Sequence, residues 1–163
     1  MRKLALHDPR GVRQWRCALS IVTWKKLMLN LKELESSASG TTFDLDSILE
    51  ALKFNQDGLI PAIAQDIDTK EVLMLAWMDA KAIRSTLEEG QVCYYSRSRK
   101  TYWKKGEESG HKQKMVEMYI DCDGDSILLL VNQEGPACHT NRSGCFYLKT
   151  ESDKVMISSD PIK

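Results

Sequence analysis

The sequence predicts an α+β fold, a mostly antiparallel β-sheet with two helices in a single compact domain, and three features predict it. Short apolar stretches recur from residue 59 onward, each bounded by Gly, Pro, Asn or Asp, as strands are. Two other segments carry apolar residues at helical spacing behind an aspartate that can cap them. Two neighbouring apolar stretches are joined by Asp66-Ile67-Asp68-Thr69, the pattern of an antiparallel hairpin.

Residues 1–40 read as a basic N-terminal extension outside the core. Within residues 1–35 eight Lys or Arg stand against three acidic residues, and Trp15, Leu19, Val22 and Leu27 line one side of a helix. A targeting peptide is also basic and acid-poor, but the segment lacks the Ser-rich patterning of one. Met28 serves equally well as a start, with Ser36-Ser37-Ala38-Ser39-Gly40 as a flexible lead into the domain. The domain then covers residues 41–150, with a tail over 151–163.

Asp44 caps the first helix, whose Leu45, Ile48, Leu49 and Leu52 share a face, and Asn55-Gln56-Asp57-Gly58 ends it as a turn. Residues 59–67 and 71–77 form the hairpin strands. Asp79 caps the second helix and Gly90 closes it. Val92, Cys93, Tyr94 and Tyr95 suit a pleated surface, and a polar loop follows over residues 96–110. Further strands are expected at 112–122, 126–133 and 145–149, separated by Gly124 and by Gly135-Pro136.

With 163 residues, 42% of them hydrophobic, the chain can bury one core without staples. Its formal charge is zero, so no global field draws it to nucleic acid or to an anionic membrane. No apolar run reaches the roughly 20 residues that cross a bilayer. Five cysteines, an odd number without the dense spacing of a secreted scaffold, point to reduced thiols and a cytoplasmic setting. Cys93, among Val92, Tyr94 and Tyr95, reads as a buried thiol.

Ordinary packing does not account for Asp121-Cys122-Asp123-Gly124-Asp125. Alternation along a strand places Asp121, Asp123 and Asp125 on one side and Cys122 on the other, with Val116, Met118 and Ile120. Three like charges on one face call for full solvation or for a hard cation such as Mg²⁺. An EF-hand is excluded, since Ser126 and Asn132 stand where that loop needs Gly and Glu. Further on, Cys138 and Cys145 bracket a polar loop at a spacing wider than that of structural zinc knuckles. Together with Cys122 they offer three thiolates, the ligand number of a catalytic zinc with one open position.

These residues resemble a known family. The acidic run, then Val131-Asn132-Gln133, Ala137-Cys138-His139-Thr140 and Ser143-Gly144-Cys145-Phe146-Tyr147 are similar to phosphoribosyl-AMP cyclohydrolase of histidine biosynthesis. Tyr94-Tyr95-Ser96-Arg97-Ser98-Arg99 and Trp103-Lys104-Lys105-Gly106-Glu107-Glu108-Ser109-Gly110 carry the likeness upstream. Asn141 departs from it, standing where the family usually has glycine; Asn tolerates positive φ better than most residues.

The resemblance implies that Asp121, Asp123 and Asp125 bind Mg²⁺ and that Cys122, Cys138 and Cys145 bind Zn²⁺. It also implies an intertwined homodimer that shares the zinc between subunits. The implied reaction is hydrolytic opening of the adenine ring of phosphoribosyl-AMP at N1–C6 by zinc-activated water, with no amino group lost. His139, beside a zinc ligand, is the first choice for proton transfer and His111 the second. Arg97, Arg99, Lys104, Lys105 and Arg142 are the cations able to hold the two phosphates. Trp103 reads either as core or as a stacking surface.

Two rivals differ from this reading. A nucleobase deaminase would carry H-x-E and P-C-x-x-C, and both are absent. A structural zinc module for protein or nucleic acid would need a fourth ligand, with His139 the nearest candidate.

Overall fold

The structure, a computed structural model, describes residues 29–163. Helices α1 (Leu31–Leu34) and α2 (Leu45–Ala51) lead into strands β1 (Ile60–Asp66) and β2 (Val72–Met78), followed by helix α3 (Ala80–Glu89). Strands β3 (Cys93–Ser96), β4 (Thr101–Lys104), β5 (Gln113–Ile120), β6 (Ile127–Gln133), β7 (Leu148–Glu151) and β8 (Lys154–Ile157) complete the chain. The fold is α+β, as expected, with α1 as a third short helix beside the two foreseen. The expected helix face of Trp15, Leu19, Val22 and Leu27 in the basic extension lies outside the described residues.

Both foreseen helices begin where their caps dictate. Asp44 accepts the Ser47 N–H through its carboxylate at 3.0 Å, and Asp79 accepts that of Ala82 at 2.7 Å. Gly90, at φ 69°, ends α3 by donating its N–H to the Thr86 carbonyl at 2.9 Å. Asp66 ties the β1–β2 turn, its carboxylate accepting the N–H groups of Asp68 and Thr69 at 3.1 and 2.8 Å. Those bonds hold the Asp66 carboxyl below its ordinary range against the opposing pull of burial.

The main sheet has the order β4-β3-β2-β1-β6-β5, and β7 and β8 form a separate exposed hairpin. One of its pairings departs from the antiparallel rule: β1 and β6 run parallel, from Ala62 beside Ile127 to Asp66 beside Val131. Their side chains alternate in and out, with Ile60, Ala62, Ala64, Ile127, Leu129 and Val131 buried in one core beneath α3. The sheet curls until the start of β5 meets the residues before β3. There Val92 donates to the Gln113 carbonyl at 3.0 Å and Met115 to that of Gly90 at 2.8 Å.

Two buried polar side chains close this curl. Thr86 accepts the Cys93 N–H at 2.9 Å, and the Tyr94 hydroxyl donates to Gln113 at 2.8 Å, whose amide in turn donates to Gln133 at 2.9 Å. Among the described residues no buried side-chain polar atom lacks a partner, as a dry core requires.

Three strand expectations need correction. The polar stretch at 96–110 contains β4, because Thr101, Tyr102 and Trp103 suit a pleated surface despite their charged flanks. The strand expected at 112–122 stops at Ile120, so residues 121–125 belong to a turn. That expected at 145–149 starts only at Leu148, and a further strand, β8, pairs with it. No helix among the described residues is long and apolar enough to cross a membrane.

Candidate functional site

The two clusters picked out by the sequence sit at opposite ends of β6. The acidic one begins where β5 ends. Asp121 turns the chain by accepting the N–H of Gly124 on its carbonyl at 3.2 Å, and those of Asp125 and Ser126 on its carboxylate at 2.9 and 3.0 Å. Gly124 makes the turn possible with φ +73°, and a Cβ there would stand 2.2 Å from the Leu31 side chain that covers it.

In this turn the alternation of a strand does not apply. The ligating atoms of Asp121, Cys122 and Asp123 all lie within 4.8 Å of one another, so the Cys122 thiol shares a side with the carboxylates instead of facing away. Lys53, unforeseen in the sequence, donates to Asp123 at 3.0 Å and ties the turn again through its own N–H to the Gly124 carbonyl at 2.7 Å. One ammonium against three carboxylates leaves the turn negative. Asp125 accordingly has its carboxyl raised, first by its hydrogen bond with Asp121 and then by the charges of Asp121 and Asp123. Burial pushes Asp121 the same way, but the N–H groups of Ser126 and Asp125 outweigh it and hold that carboxyl low. Clustered oxygens with excess negative charge fit a hard divalent cation.

The second cluster is the loop from Ala137 to Cys145. It closes on itself through Ala137 N–H to Ser143 carbonyl, Cys138 N–H to Arg142 carbonyl and Asn141 N–H to Cys138 carbonyl, each 3.1 Å. Asn141 takes a left-handed backbone, φ 59°, the conformation for which glycine or asparagine is suited. The loop docks on the first residues of β2, which β3 leaves uncovered. Cys145 donates its N–H to the Leu73 carbonyl at 2.6 Å, Ser143 bonds Glu71 at 2.8 Å, and buried Gly144 permits the approach, since its Cβ would lie 3.2 Å from the Leu73 carbonyl oxygen.

The Cys138 and Cys145 thiols are near enough to act on one another, and their tendencies to ionise diverge. Burial and then the neighbouring Cys138 push Cys145 up to about 11. Burial raises Cys138 too, but the Thr140 hydroxyl at 3.1 Å, the Thr140 N–H, Cys145 and Arg142 together bring it below the ordinary thiol range. Two adjacent thiols, one inclined to ionise, fit a soft or borderline cation. Buried Cys93, by contrast, has its thiol raised by desolvation, in keeping with a packing role.

Cys122 does not join that pair within one chain. The seven residues of β6, at about 3.3 Å each, set the acidic turn and the Cys138–Cys145 loop on the order of 20 Å apart.

The other expected residues surround the loop unevenly. His139 is exposed with Nδ1 at 3.9 Å from the Cys138 sulfur, and half-buried His111 packs against Gly135. Lys105, half-buried, donates to the Ala137 carbonyl at 2.7 Å, and burial lowers its pKa while the neighbouring thiols raise it. Arg142 donates Nε to the Ser159 carbonyl at 2.8 Å and stacks 4.2 Å from the Tyr147 ring centre. Lys104 is paired with Glu89.

Arg97 lies 4.6 Å over the Trp77 ring, and Arg99 borders an open hollow of about 210 Å³ with Trp103, Lys104 and Lys105. Trp103 itself packs on the core, 5.1 Å from the Tyr94 ring. Glu71, Leu73 and Ser159 were not foreseen, because each meets the loop from far along the chain.

Comparison with known proteins agrees with the motifs. A family model described as phosphoribosyl-AMP cyclohydrolase matches residues 74–147. The phosphoribosyl-AMP cyclohydrolase of Hydrogenovibrio crunogenus is 52% identical over 134 residues, covering 82% of this chain and 91% of that protein. Phosphoribosyl-AMP cyclohydrolase 2 of Pseudomonas fluorescens is 53% identical over 135 residues, 83% of this chain and 92% of that one. With about half of all positions shared across nearly the full length of these relatives, this chain belongs to the phosphoribosyl-AMP cyclohydrolase family of enzymes.

Proposed function

We propose that this enzyme opens the adenine ring of phosphoribosyl-AMP in histidine biosynthesis, acting in the cytoplasm as a homodimer that holds Zn²⁺ and Mg²⁺. The observation that carries the reading is the pairing of the Cys138 and Cys145 thiols at one end of β6, with Cys122 held at the other. Two thiols are too few for a zinc site, and a third on the order of 20 Å away within the chain becomes available from a second copy. The exposed apolar residues that follow Cys145, namely Phe146, Leu148, Val155 and Ile157, supply a surface suited to such a copy.

Cys138, Cys145 and the Cys122 of the second copy would hold the zinc, and Asp121, Asp123 and Asp125 the magnesium. Zinc supplies Lewis acidity sufficient to bring the pKa of water to about 7. In the net reaction the water oxygen goes to C6, the N1–C6 bond breaks, N1 takes a proton and the amino group stays on C6. His139, exposed beside Cys138, delivers that proton to N1. Arg97 and Arg99, on the exposed turn between β3 and β4, receive the phosphates with their paired N–H groups, and the Trp103 ring flanks the hollow beside Arg99. Lys105 holds the loop carbonyl and lends its charge to the thiols.

The test is turnover. Purified protein given phosphoribosyl-AMP should produce the ultraviolet change of ring opening, and a chelator should abolish it. No turnover with both zinc and magnesium supplied would overturn the assignment and favour a structural zinc module.

A further inference from the structure

We propose that residues 158–162 are a strap that positions the Cys138–Cys145 loop for metal, with Arg142 and Ile162 as its fasteners; this rests on the zinc assignment above. The chain reaches the loop because of the terminal hairpin. Leu148 pairs with Ile157 across β7 and β8, so the residue after Ile157 arrives beside Tyr147. Ser158 fixes that arrival, donating both its N–H and its hydroxyl to the Tyr147 carbonyl at 2.9 and 3.0 Å.

From there the strap crosses the loop. Arg142 Nε donates to the Ser159 carbonyl at 2.8 Å, and Ser159 is half-buried in a stretch otherwise exposed. The Ile162 N–H donates to the carbonyl of Asn141, the residue with the left-handed backbone, at 2.7 Å. Asn141 and Arg142 lie between the two thiols in sequence, and the carbonyl of Arg142 accepts the N–H of Cys138. Fixing these two residues therefore fixes the spacing of the sulfurs, which lowers the ordering cost of binding an ion. Partners beyond the ligands themselves commonly change metal affinity about 10- to 100-fold. The strap also gives Arg142 a task other than meeting phosphate.

The experiment compares the full chain with one ending at Ile157 and with full-length Ile162→Pro, which removes the single N–H that reaches Asn141. Zinc affinity is read by competition with a chromophoric chelator, and amide hydrogen exchange of residues 137–145 is read in the metal-free protein. The expected result is an affinity about 10- to 100-fold weaker, faster exchange at Cys138 and Asn141, and an unchanged melting temperature. Unchanged affinity and exchange overturn the strap, as does a loss of affinity that only tracks a fall in melting temperature. If the truncated chain does not fold, Ile162→Pro decides. If the full chain binds no zinc, the zinc assignment fails, and the exchange comparison alone still decides whether the strap holds the loop.

Discussion

The two ends of β6, each proposed to hold a cation, are built in opposite ways. At one end five consecutive residues fold back on themselves, and their carboxylates are bound by neighbouring N–H groups and by Lys53. At the other, two thiols are separated by a loop whose position depends on Leu73, Glu71, Lys105, Ser159 and Ile162. The acidic turn is built mainly from its own five residues, half-exposed and negative. The thiol loop is assembled from distant parts of the chain and is partly buried. Local construction suits a hard ion that keeps much of its water, while a soft site needs its few ligands fixed by the surroundings.

This contrast can be broken one end at a time. The largest effect is expected from Cys138→Ala. Loss of several kcal/mol of Lewis-acid stabilisation corresponds to roughly a thousandfold in rate, read as turnover of phosphoribosyl-AMP, with stoichiometric zinc gone by elemental analysis. Full retention of zinc would refute the ligand assignment. Asp121→Asn should act first on the other end, raising the magnesium needed for half-maximal activity by roughly 10- to 100-fold, with a smaller loss of zinc affinity because Cys122 sits in the same turn. An unchanged magnesium requirement would refute the assignment of the acidic turn to that ion.

Gly124→Ala tests the turn's backbone apart from its charges. A Cβ at φ +73°, directed into Leu31, should cost about 1–2 kcal/mol and lower the melting temperature of the metal-free protein by a few degrees. The smallest effect is electrostatic. Asp125 has its folded carboxyl raised above the unfolded value, so its ionised form opposes folding at neutral pH, and the opposition disappears as pH falls through the carboxylate range. Asp125→Asn should therefore melt slightly higher than wild type in the metal-free protein at pH 7. The difference should vanish at low pH, and a lower melting point at pH 7 would contradict the sign.

Much of this arrangement could be read from residues adjacent in sequence. Asp44, Asp79 and Gly90 mark helix ends because a cap acts within one turn, and the β1–β2 hairpin follows from Asp66 and its neighbours for the same reason. The clusters at 121–125 and 138–145 stood out because like charges and paired thiols have no packing use. The errors arose where distance or context decides. Period-two alternation holds only to Ile120, where β5 ends, so the turn that follows brings Cys122 to the side of the carboxylates. Lys53 reaches Asp123 from 70 positions away, and residues 158–162 return to the loop only because β8 exists. Strand β4 was hidden among charges that lie beside it and do not interrupt its pleat.

The parallel contact between β1 and β6 bears on how the molecule comes into being. It unites residue 62 with residue 127, and no short turn can bring such remote segments together. The β1–β2 and β5–β6 hairpins can each form locally, but their union awaits that closure, a slow, entropically costly step characteristic of non-local topologies. A nascent or refolding chain would then show helix signals well before it acquires any affinity for an ion.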